Sequence, residues 1–257
     1  MKKLLGCFLC VIFLLFGVSS VGAGILDLTG TGTDIYNFHT GGDGSYWRVI
    51  QSQPTGTGVY QPFLRYQEDP VEIGLNTDLK PPPYDDKMPA TIYTRSVLFS
   101  DLETVNFGGN DYWSFTIDFN EPGADTRFLS FDNFDIYEGS VPDAGSISVL
   151  GTPLFDSADT VLTDYTLASS GSGRDDIEFL IPVATWAQPY MYLYIQSGAY
   201  AGVDPGGLGR DWTANAGFEE IRTTGIPSPP VPEPATLLLL GGGLVGLAGL
   251  GRKKFKK

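Results

Sequence analysis

The chain has 257 residues, of which 30 are acidic and 16 are basic, and its formal net charge at pH 7 is −14. This acidity argues against a nucleic-acid-binding protein, because such binding depends on cationic contacts to phosphate. Both cysteines lie among the first ten residues, so the rest of the chain offers no disulfide and no cysteine-based metal site.

The N-terminal residues 1–23 have the parts of a secretory signal peptide and are predicted to form a signal helix. Two lysines precede an apolar segment at residues 4–18, and the small residues Val21-Gly22-Ala23 follow it. We predict export by the general secretion machinery and cleavage by signal peptidase between Ala23 and Gly24. A lipoprotein is not predicted, because Cys7 precedes most of the apolar segment instead of following it.

Residues 24–222 are predicted to form one extracellular all-β domain, an antiparallel β sandwich of jelly-roll type. This region is rich in Tyr, Phe, Val, Thr, Gly and Asp, a composition that favours strands joined by turns. It contains no sustained apolar period of 3.6 residues, so helices should be few and short. We expect roughly eight to eleven strands in this domain.

The clearest predicted strand covers residues 113–119, where apolar and polar side chains alternate as in a half-buried strand. Further strands are predicted at 91–99, 146–150, 161–167, 176–181 and 190–195. The last of these is apolar on both faces, which is typical of a strand covered on both sides. Turns are predicted at 107–111, 121–125, 141–145 and 170–175, and a proline-rich surface loop at 79–89.

In the predicted strand at residues 127–137, the apolar side chains change from odd-numbered to even-numbered positions. Leu129 and Phe131 share one parity, whereas Phe134 and Ile136 share the other. A β-bulge near Asp132 would turn all four side chains to one inward face.

Two acidic segments suggest calcium as a ligand, because closely spaced oxygen atoms suit a hard cation. One segment contains Asp132 and Asp135, and the other is the loop from Asp204 to Asp211. Neither follows the order of ligands of an EF-hand, so Asp and Asn side chains that cap turns are the favoured alternative. No other cofactor and no firm metal site are predicted.

Motifs of catalysis are missing from the sequence, and we assign no catalytic residue and predict a non-enzymatic protein. His39 is the sole histidine, and it lies in a glycine-rich segment typical of a solvated loop. No P-loop or nucleophile elbow is present. A carboxylate pair for glycoside hydrolysis stays an alternative, although the sequence does not locate such a pair.

Aromatic side chains provide a second alternative, a carbohydrate-binding module. Their flat faces stack on sugar rings, and they occur at Tyr46-Trp47, Tyr112-Trp113, Trp186 and Trp212. Most of these rings are expected in the core, and Trp113 above all, because it lies in the alternating strand. The likeness of a sandwich scaffold to carbohydrate-binding modules does not establish a function.

The C-terminal residues 231–257 form a distinct tail, separated from the domain by a Pro/Ser-rich linker at 223–230. The tail contains Pro232, Glu233 and Pro234, an uncharged apolar segment at 235–251 and a basic end. We predict a transmembrane helix at 235–251 whose basic end stays in the cytoplasm. Its apolar run spans about 24 Å against about 30 Å of hydrocarbon, so it suits a temporary anchor.

This order of motif, apolar segment and basic end resembles the PEP-CTERM sorting signal of Gram-negative, exopolysaccharide-producing bacteria. The resemblance covers about a tenth of the chain, and residues 211–220 also resemble the end of the extracellular domain in many such proteins. It implies an exosortase, a membrane-embedded cysteine transpeptidase, as a partner that removes the tail. It further implies delivery to the cell surface or the matrix, with exopolysaccharide as a partner. An ordinary single-pass anchor is the alternative.

Removal of both ends makes the remaining chain more acidic. Seven basic residues and one acidic residue are lost, which leaves nine basic against 29 acidic residues and a net charge of about −20. Such a charge keeps an exported domain soluble and attracts divalent cations.

Overall fold

The computed structural model describes residues 24–30, 33–50, 61–79, 81, 83–84, 93–120, 127–157, 159–167, 173–215 and 217–224. The predicted signal helix, the predicted transmembrane helix and most of the linker lie outside these residues. Within the described ranges the chain forms thirteen β-strands and four short 3-10 helices. No helix in this part of the chain is long and apolar enough to cross a membrane.

The strands are β1 (Gly24–Asp27), β2 (His39–Thr40), β3 (Tyr46–Val49), β4 (Leu64–Tyr66), β5 (Glu72–Leu75), β6 (Val97–Leu98), β7 (Thr104–Phe107), β8 (Asn110–Asp118), β9 (Phe128–Gly139), β10 (Asp159–Asp164), β11 (Ile177–Pro182), β12 (Tyr190–Ser197) and β13 (Glu219–Thr223). The 3-10 helices are Thr33–Tyr36, Phe99–Asp101, Ile147–Val149 and Tyr165–Leu167. The prediction of an all-β domain is confirmed for the residues that the structure describes.

The strands form two sheets. Sheet A has the order β1-β10-β9-β12-β5, with β6 also paired to β12. Sheet B has the order β2-β3-β11-β8-β13-β4, with β7 also paired to β8. All pairs are antiparallel except β1 with β10, where Gly24 lies opposite Asp159 in a parallel register. The predicted purely antiparallel arrangement is therefore wrong at this edge of sheet A.

The two sheets pack face to face through one apolar core, which gives a sandwich-like arrangement. Phe134 of β9 lies between the sheets, with its ring centroid 4.2 Å from that of Phe179 and 5.5 Å from that of Trp47. Phe115 of β8 stacks on Phe179 at 5.1 Å. All four side chains are buried. The jelly-roll connectivity stays a prediction.

The predicted β-bulge at Asp132 is confirmed. Gln196 of β12 pairs with Asn133, whereas Ser197 pairs with Phe131, so Asp132 has no opposite residue. The apolar side chains on either side of the bulge all belong to the same core, namely those of Leu129, Phe131, Phe134 and Ile136. The extra residue at the bulge thus turns the apolar side chains on both sides of it toward the same core.

Several local predictions match the structure and others do not. The turn at 107–111 is a hairpin in which Gly108 and Gly109 have φ angles of 60° and 88°, a conformation that favours glycine. The strand predicted at 146–150 is a 3-10 helix, in which the Val149 N–H donates to the Ser146 carbonyl and no strand lies alongside. Of the strand predicted at 91–99, residues 93–99 are described, and among them only Val97–Leu98 form a strand, which ends where a 3-10 helix begins at Phe99. The strand predicted at 161–167 is confirmed only as far as Asp164.

The outward face of sheet B carries a row of paired charges. The prediction of a half-buried strand at 113–119 is wrong in one respect, because the polar residues Ser114, Thr116 and Asp118 are also buried. Across this face the Arg65 guanidinium pairs with Glu220 and the Arg222 guanidinium pairs with Asp175, as the Arg48 guanidinium does with Glu178. Charged partners therefore cover a face that the alternation assigns to solvent.

Candidate functional site

The residues that the sequence assigns to sorting lie mostly outside the described part of the chain. This is so for Pro232, Glu233 and Pro234, and for Ala23 on the N-terminal side of the predicted signal-peptide cleavage. Gly24, on the other side of that bond, is the first residue of β1. Its N–H donates to the Asp159 carboxylate at 2.9 Å.

Asp132 and Asp135, the first predicted calcium pair, have separate surroundings. The Asp132 carboxylate accepts hydrogen bonds from the Ala199 N–H at 2.7 Å and from the Ser130 hydroxyl at 2.8 Å. Burial raises the pKa of Asp132. Asp135 lies further along β9, where burial, and to a smaller extent the Asp156 carboxyl group, raise its pKa to about 6. The Asp135 carboxylate accepts the Ser157 N–H at 3.3 Å, a donor that differs from the two donors to Asp132.

The second predicted calcium pair organises two successive turns. Asp204 accepts N–H groups of Gly206 and Leu208 at 3.1 and 2.8 Å, and its carboxylate also pairs with the Arg210 guanidinium. These donors, and Arg210 first among them, hold the pKa of Asp204 well below its usual range. Asp211 accepts the N–H and hydroxyl of Thr213.

The arrangement at Asp204 and Asp211 matches the turn-capping interpretation. Across the ranges that the structure describes, no three acidic or histidine side chains converge in a way that suits a metal ion. Calcium binding stays a prediction. His39 lies in β2, half-buried, with its Nε2 atom 3.2 Å from the Asp34 carbonyl oxygen.

The tryptophans divide into three that belong to the interior and one that faces outward. Trp47, Trp113 and Trp212 are buried, which confirms the expectation for Trp113. Trp186 is 42% exposed and lies in the connection between β11 and β12. One of its faces stacks on Phe99, with ring centroids 5.1 Å apart and an angle of 16° between the planes. The Trp113 ring lies beside it as well, with centroids 6.1 Å apart and an angle of 53° between the planes.

The segment 183–189 that carries Trp186 is fixed to the sandwich at several points. The Val183 N–H donates to the Asp111 carbonyl at 3.1 Å, and the Phe99 N–H donates to the Pro189 carbonyl at 3.0 Å. Between these contacts the Glu138 carboxylate accepts the N–H groups of Ala187 and Gln188, the latter at 2.8 Å. The Trp186 ring is therefore held in place before any ligand binds.

Two open grooves flank this segment. One has a volume of about 380 Å³ and is lined by Val183, Ala184, Thr185 and Trp186. The other has a volume of about 430 Å³ and is lined by Glu138, Gly139, Ser140, Val141, Ala144, Val149, Leu150 and Gln188. Both volumes lie within the usual range of ligand sites in proteins. Trp186 and the two grooves form what we call the Trp186 site.

Sequence reasoning identified Trp186 as a candidate but none of its neighbours. Glu138 and Phe99 lie far from Trp186 in the chain, and the structure brings them together by pairing β9 and β6 with β12. The one available signal was position, since Trp186 lies in a stretch without strand periodicity between two strong strands. An aromatic residue outside the strand pattern is a candidate for exposure.

Comparison with known proteins gives one match. Residues 230–253 match the family description "PEP-CTERM protein-sorting motif". No curated protein and no solved structure matches the chain. The match covers the tail alone, and it does not extend to the Trp186 site or to either sheet.

Proposed function

Since this chain carries a PEP-CTERM protein-sorting motif and is thus an exported target of an exosortase, we propose that it is a non-enzymatic protein of the bacterial surface or matrix. In this proposal the tail holds the chain briefly in the inner membrane of a Gram-negative cell. An exosortase-type transpeptidase then processes it near Pro232-Glu233-Pro234, and the domain is delivered to an exopolysaccharide-containing biofilm matrix.

The observation that carries this proposal is the motif match at residues 230–253. Its chemistry fits a processed segment, because proline disfavours a helix, and we expect the two prolines beside Glu233 to favour the extended form that a peptidase binds. The uncharged run behind it is short for a permanent span. The sandwich-like domain, of jelly-roll type in our proposal, is the part that remains after processing.

Substitution of Glu233 with Ala tests the sorting proposal in a host with its exosortase. An epitope inserted in the linker before Pro232 reports the size and location of the protein by cell fractionation. We expect the variant E233A to accumulate as an unprocessed, membrane-retained precursor, as the wild type does in a strain without exosortase. The linker variant S228A is the matched control and should be released. Normal release of E233A would show that the motif is not read.

An enzymatic function is the second candidate, and the environment of the Asp135 carboxyl group favours it. The pKa of Asp135 is raised to about 6, and the carboxyl group of Asp156 lies nearby. A carboxyl group in such surroundings has the character of a general acid. Release of reducing sugar from polysaccharides by the full-length protein tests this alternative. Turnover that is lost in D135N would overturn the non-enzymatic proposal, whereas no turnover across the substrates supports it.

A further inference from the structure

Trp186 combines ring contacts to the sandwich with a large exposed surface. Its inner face stacks on Phe99, which itself lies 5.3 Å from the buried Trp113 ring. These ring contacts bury one face of the indole and restrict its movement. The exposed 42% of the residue is therefore an outward platform with a rigid base.

The platform is preorganised by polar contacts as well as by ring stacking. The Glu138 carboxylate holds the backbone on the C-terminal side of Trp186 through the Ala187 and Gln188 N–H groups. On the N-terminal side the Val183 N–H is bound to Asp111. A ligand that stacks on Trp186 does not have to order this segment, and so the entropic cost of binding is small.

The surroundings of the platform are amphipathic. Val141 and Val149 are 49% and 69% exposed, and both line the larger groove. Ser140 and Gln188 line the same groove and are exposed, which places hydrogen-bonding groups beside apolar ones. Pyranose rings have the matching surface, with apolar C–H faces and hydroxyl groups around the edge.

The charge of the domain restricts the class of ligand. The exported part has a net charge of about −20, and Glu138 is the one ionisable residue among those that line the two grooves. Long-range repulsion therefore acts against anionic polysaccharides and against a second copy of the chain. An uncharged chain of sugars meets no such barrier.

We propose that the Trp186 site binds a neutral polysaccharide, with one pyranose ring stacked on Trp186 and neighbouring rings in the flanking grooves. Gln188 and Ser140 supply hydrogen bonds to sugar hydroxyl groups, and Glu138 positions the segment. This inference names a partner for the domain and rests on the proposed function, in which the domain is displayed outside the cell.

Affinity electrophoresis of the full-length protein in mild detergent tests the inference. The gels contain hydroxyethylcellulose, xylan, galactomannan or laminarin as neutral probes and alginate as an anionic probe. We expect at least one neutral probe to retard the wild type. The variant W186A should lose roughly thirtyfold in association constant, the usual effect of truncating a central aromatic contact residue.

Matched variants separate the site from general surface effects. L208A and V203A remove exposed apolar side chains from a different loop and should bind as the wild type does. W186F keeps an aromatic face on Phe99 and should retain most of the binding. If circular dichroism shows that W186A is unfolded, the loss of binding in Q188A decides the matter. Q188A should weaken binding about tenfold, as expected for a lost ligand hydrogen bond.

Two results would overturn the inference: no retardation by any neutral probe, with or without retardation by alginate, or equal retardation of wild type and W186A. Concentration-dependent self-association that W186A abolishes would assign the site to a second copy and also overturn it. The sorting test with E233A reads localisation and does not depend on sugar binding. Failure of one proposal is therefore distinguishable from failure of the other.

Discussion

The Gly24 N–H lies 2.9 Å from the Asp159 carboxylate, and this contact joins the first strand of sheet A to its neighbour β10. The same carboxylate also accepts the Gly42 N–H. A Cβ atom at position 24 would approach the Asp159 carboxylate closely, so a larger residue there would displace this side chain. The predicted signal-peptide cleavage after Ala23 would convert this N–H into an ammonium group beside a buried carboxylate.

We therefore predict that signal-peptide cleavage stabilises the domain through Gly24 and Asp159. The free energy of unfolding should be about 1 kcal/mol higher for a chain that begins at Gly24 than for one that begins at Ala23. The reason is that a charge-assisted hydrogen bond replaces a neutral one. Urea denaturation near pH 7 measures the difference. It should fall above about pH 8, where α-amino groups lose their proton. The same difference in D159N would contradict the pairing.

Asp118 predicts a pH dependence of stability. Its buried carboxylate accepts the Gly173 and Arg174 N–H groups and an Asn120 N–H. Desolvation nevertheless raises its pKa from 3.8 to about 6. Between these two values the folded chain binds more protons than the unfolded chain, so the free energy of unfolding decreases as the pH rises through this window.

The variant D118N should remove this contribution. Urea denaturation at pH 4 and pH 7 should show that the wild type loses roughly 2 kcal/mol more than D118N on passing from the lower to the higher pH. D101N removes a carboxyl group at an exposed position and is the control for loss of one negative charge. Parallel profiles for D118N and wild type would show that Asp118 does not titrate in this window.

Most of sheet A and the centre of sheet B were predictable from local patterns. The alternation at 113–119 and the change of parity at Asp132 both reflect which side chains face one core, and both were read correctly as a strand and a bulge. The parallel pairing of β1 was not predictable. It depends on a contact between Gly24 and Asp159, which lie 135 residues apart.

Polar residues caused the other differences. The pattern assigns Ser114, Thr116 and Asp118 of β8 to solvent, yet all three are buried. Arg222 and Glu220 of β13 lie opposite Thr116 and Asp118. Such pairing partners cannot be predicted from one strand alone. The Trp186 site shows the same limit. The sequence shows the indole itself, whereas its support by Phe99 and Glu138 follows from three strands that meet in sheet A.

Arg65 and Glu220 form the most buried ion pair of the described part of sheet B. The Arg65 Nε atom donates to Glu220 at 2.6 Å, and the guanidinium lies 3.9 Å from the Tyr93 ring centroid and 4.5 Å from that of Phe218. Removal of one partner leaves the other charge buried. We expect E220A to lower the free energy of unfolding by about 3 to 5 kcal/mol.

The pair of Arg48 and Glu178 serves as the control for this prediction. Its side chains are 34% and 19% exposed, so solvent screens the charges, and E178A should cost less than about 1 kcal/mol. The double variant R65M/E220L should lose less than the sum of the single variants, because neither charge is left unpaired. Equal costs for E220A and E178A in urea denaturation would show that burial does not govern these pairs.

The Asn76 side chain binds the backbone of β12 in the gap between the two short strands β5 and β6. On this edge of β12, β6 pairs with residues 190–191 and β5 with residues 194–197. Between them the Asn76 side chain accepts the Leu193 N–H at 2.5 Å and donates to the Met191 carbonyl at 3.1 Å. The buried amide thus replaces the backbone of a strand.

We predict that N76A lowers the free energy of unfolding by about 2 to 4 kcal/mol, since it leaves a buried donor and a buried acceptor of β12 without their partner. N76D keeps the shape but loses the donor and adds a buried charge, so its loss should be larger at pH 7 than at pH 4. The control N106A, at an exposed position, should change stability by less than about 0.5 kcal/mol. Hydrogen exchange at the Leu193 amide supplies a local readout, because faster exchange in N76A than in N106A is expected only if the side chain protects that edge. Unchanged protection of Leu193 in a folded N76A protein would show that β12 does not depend on this amide.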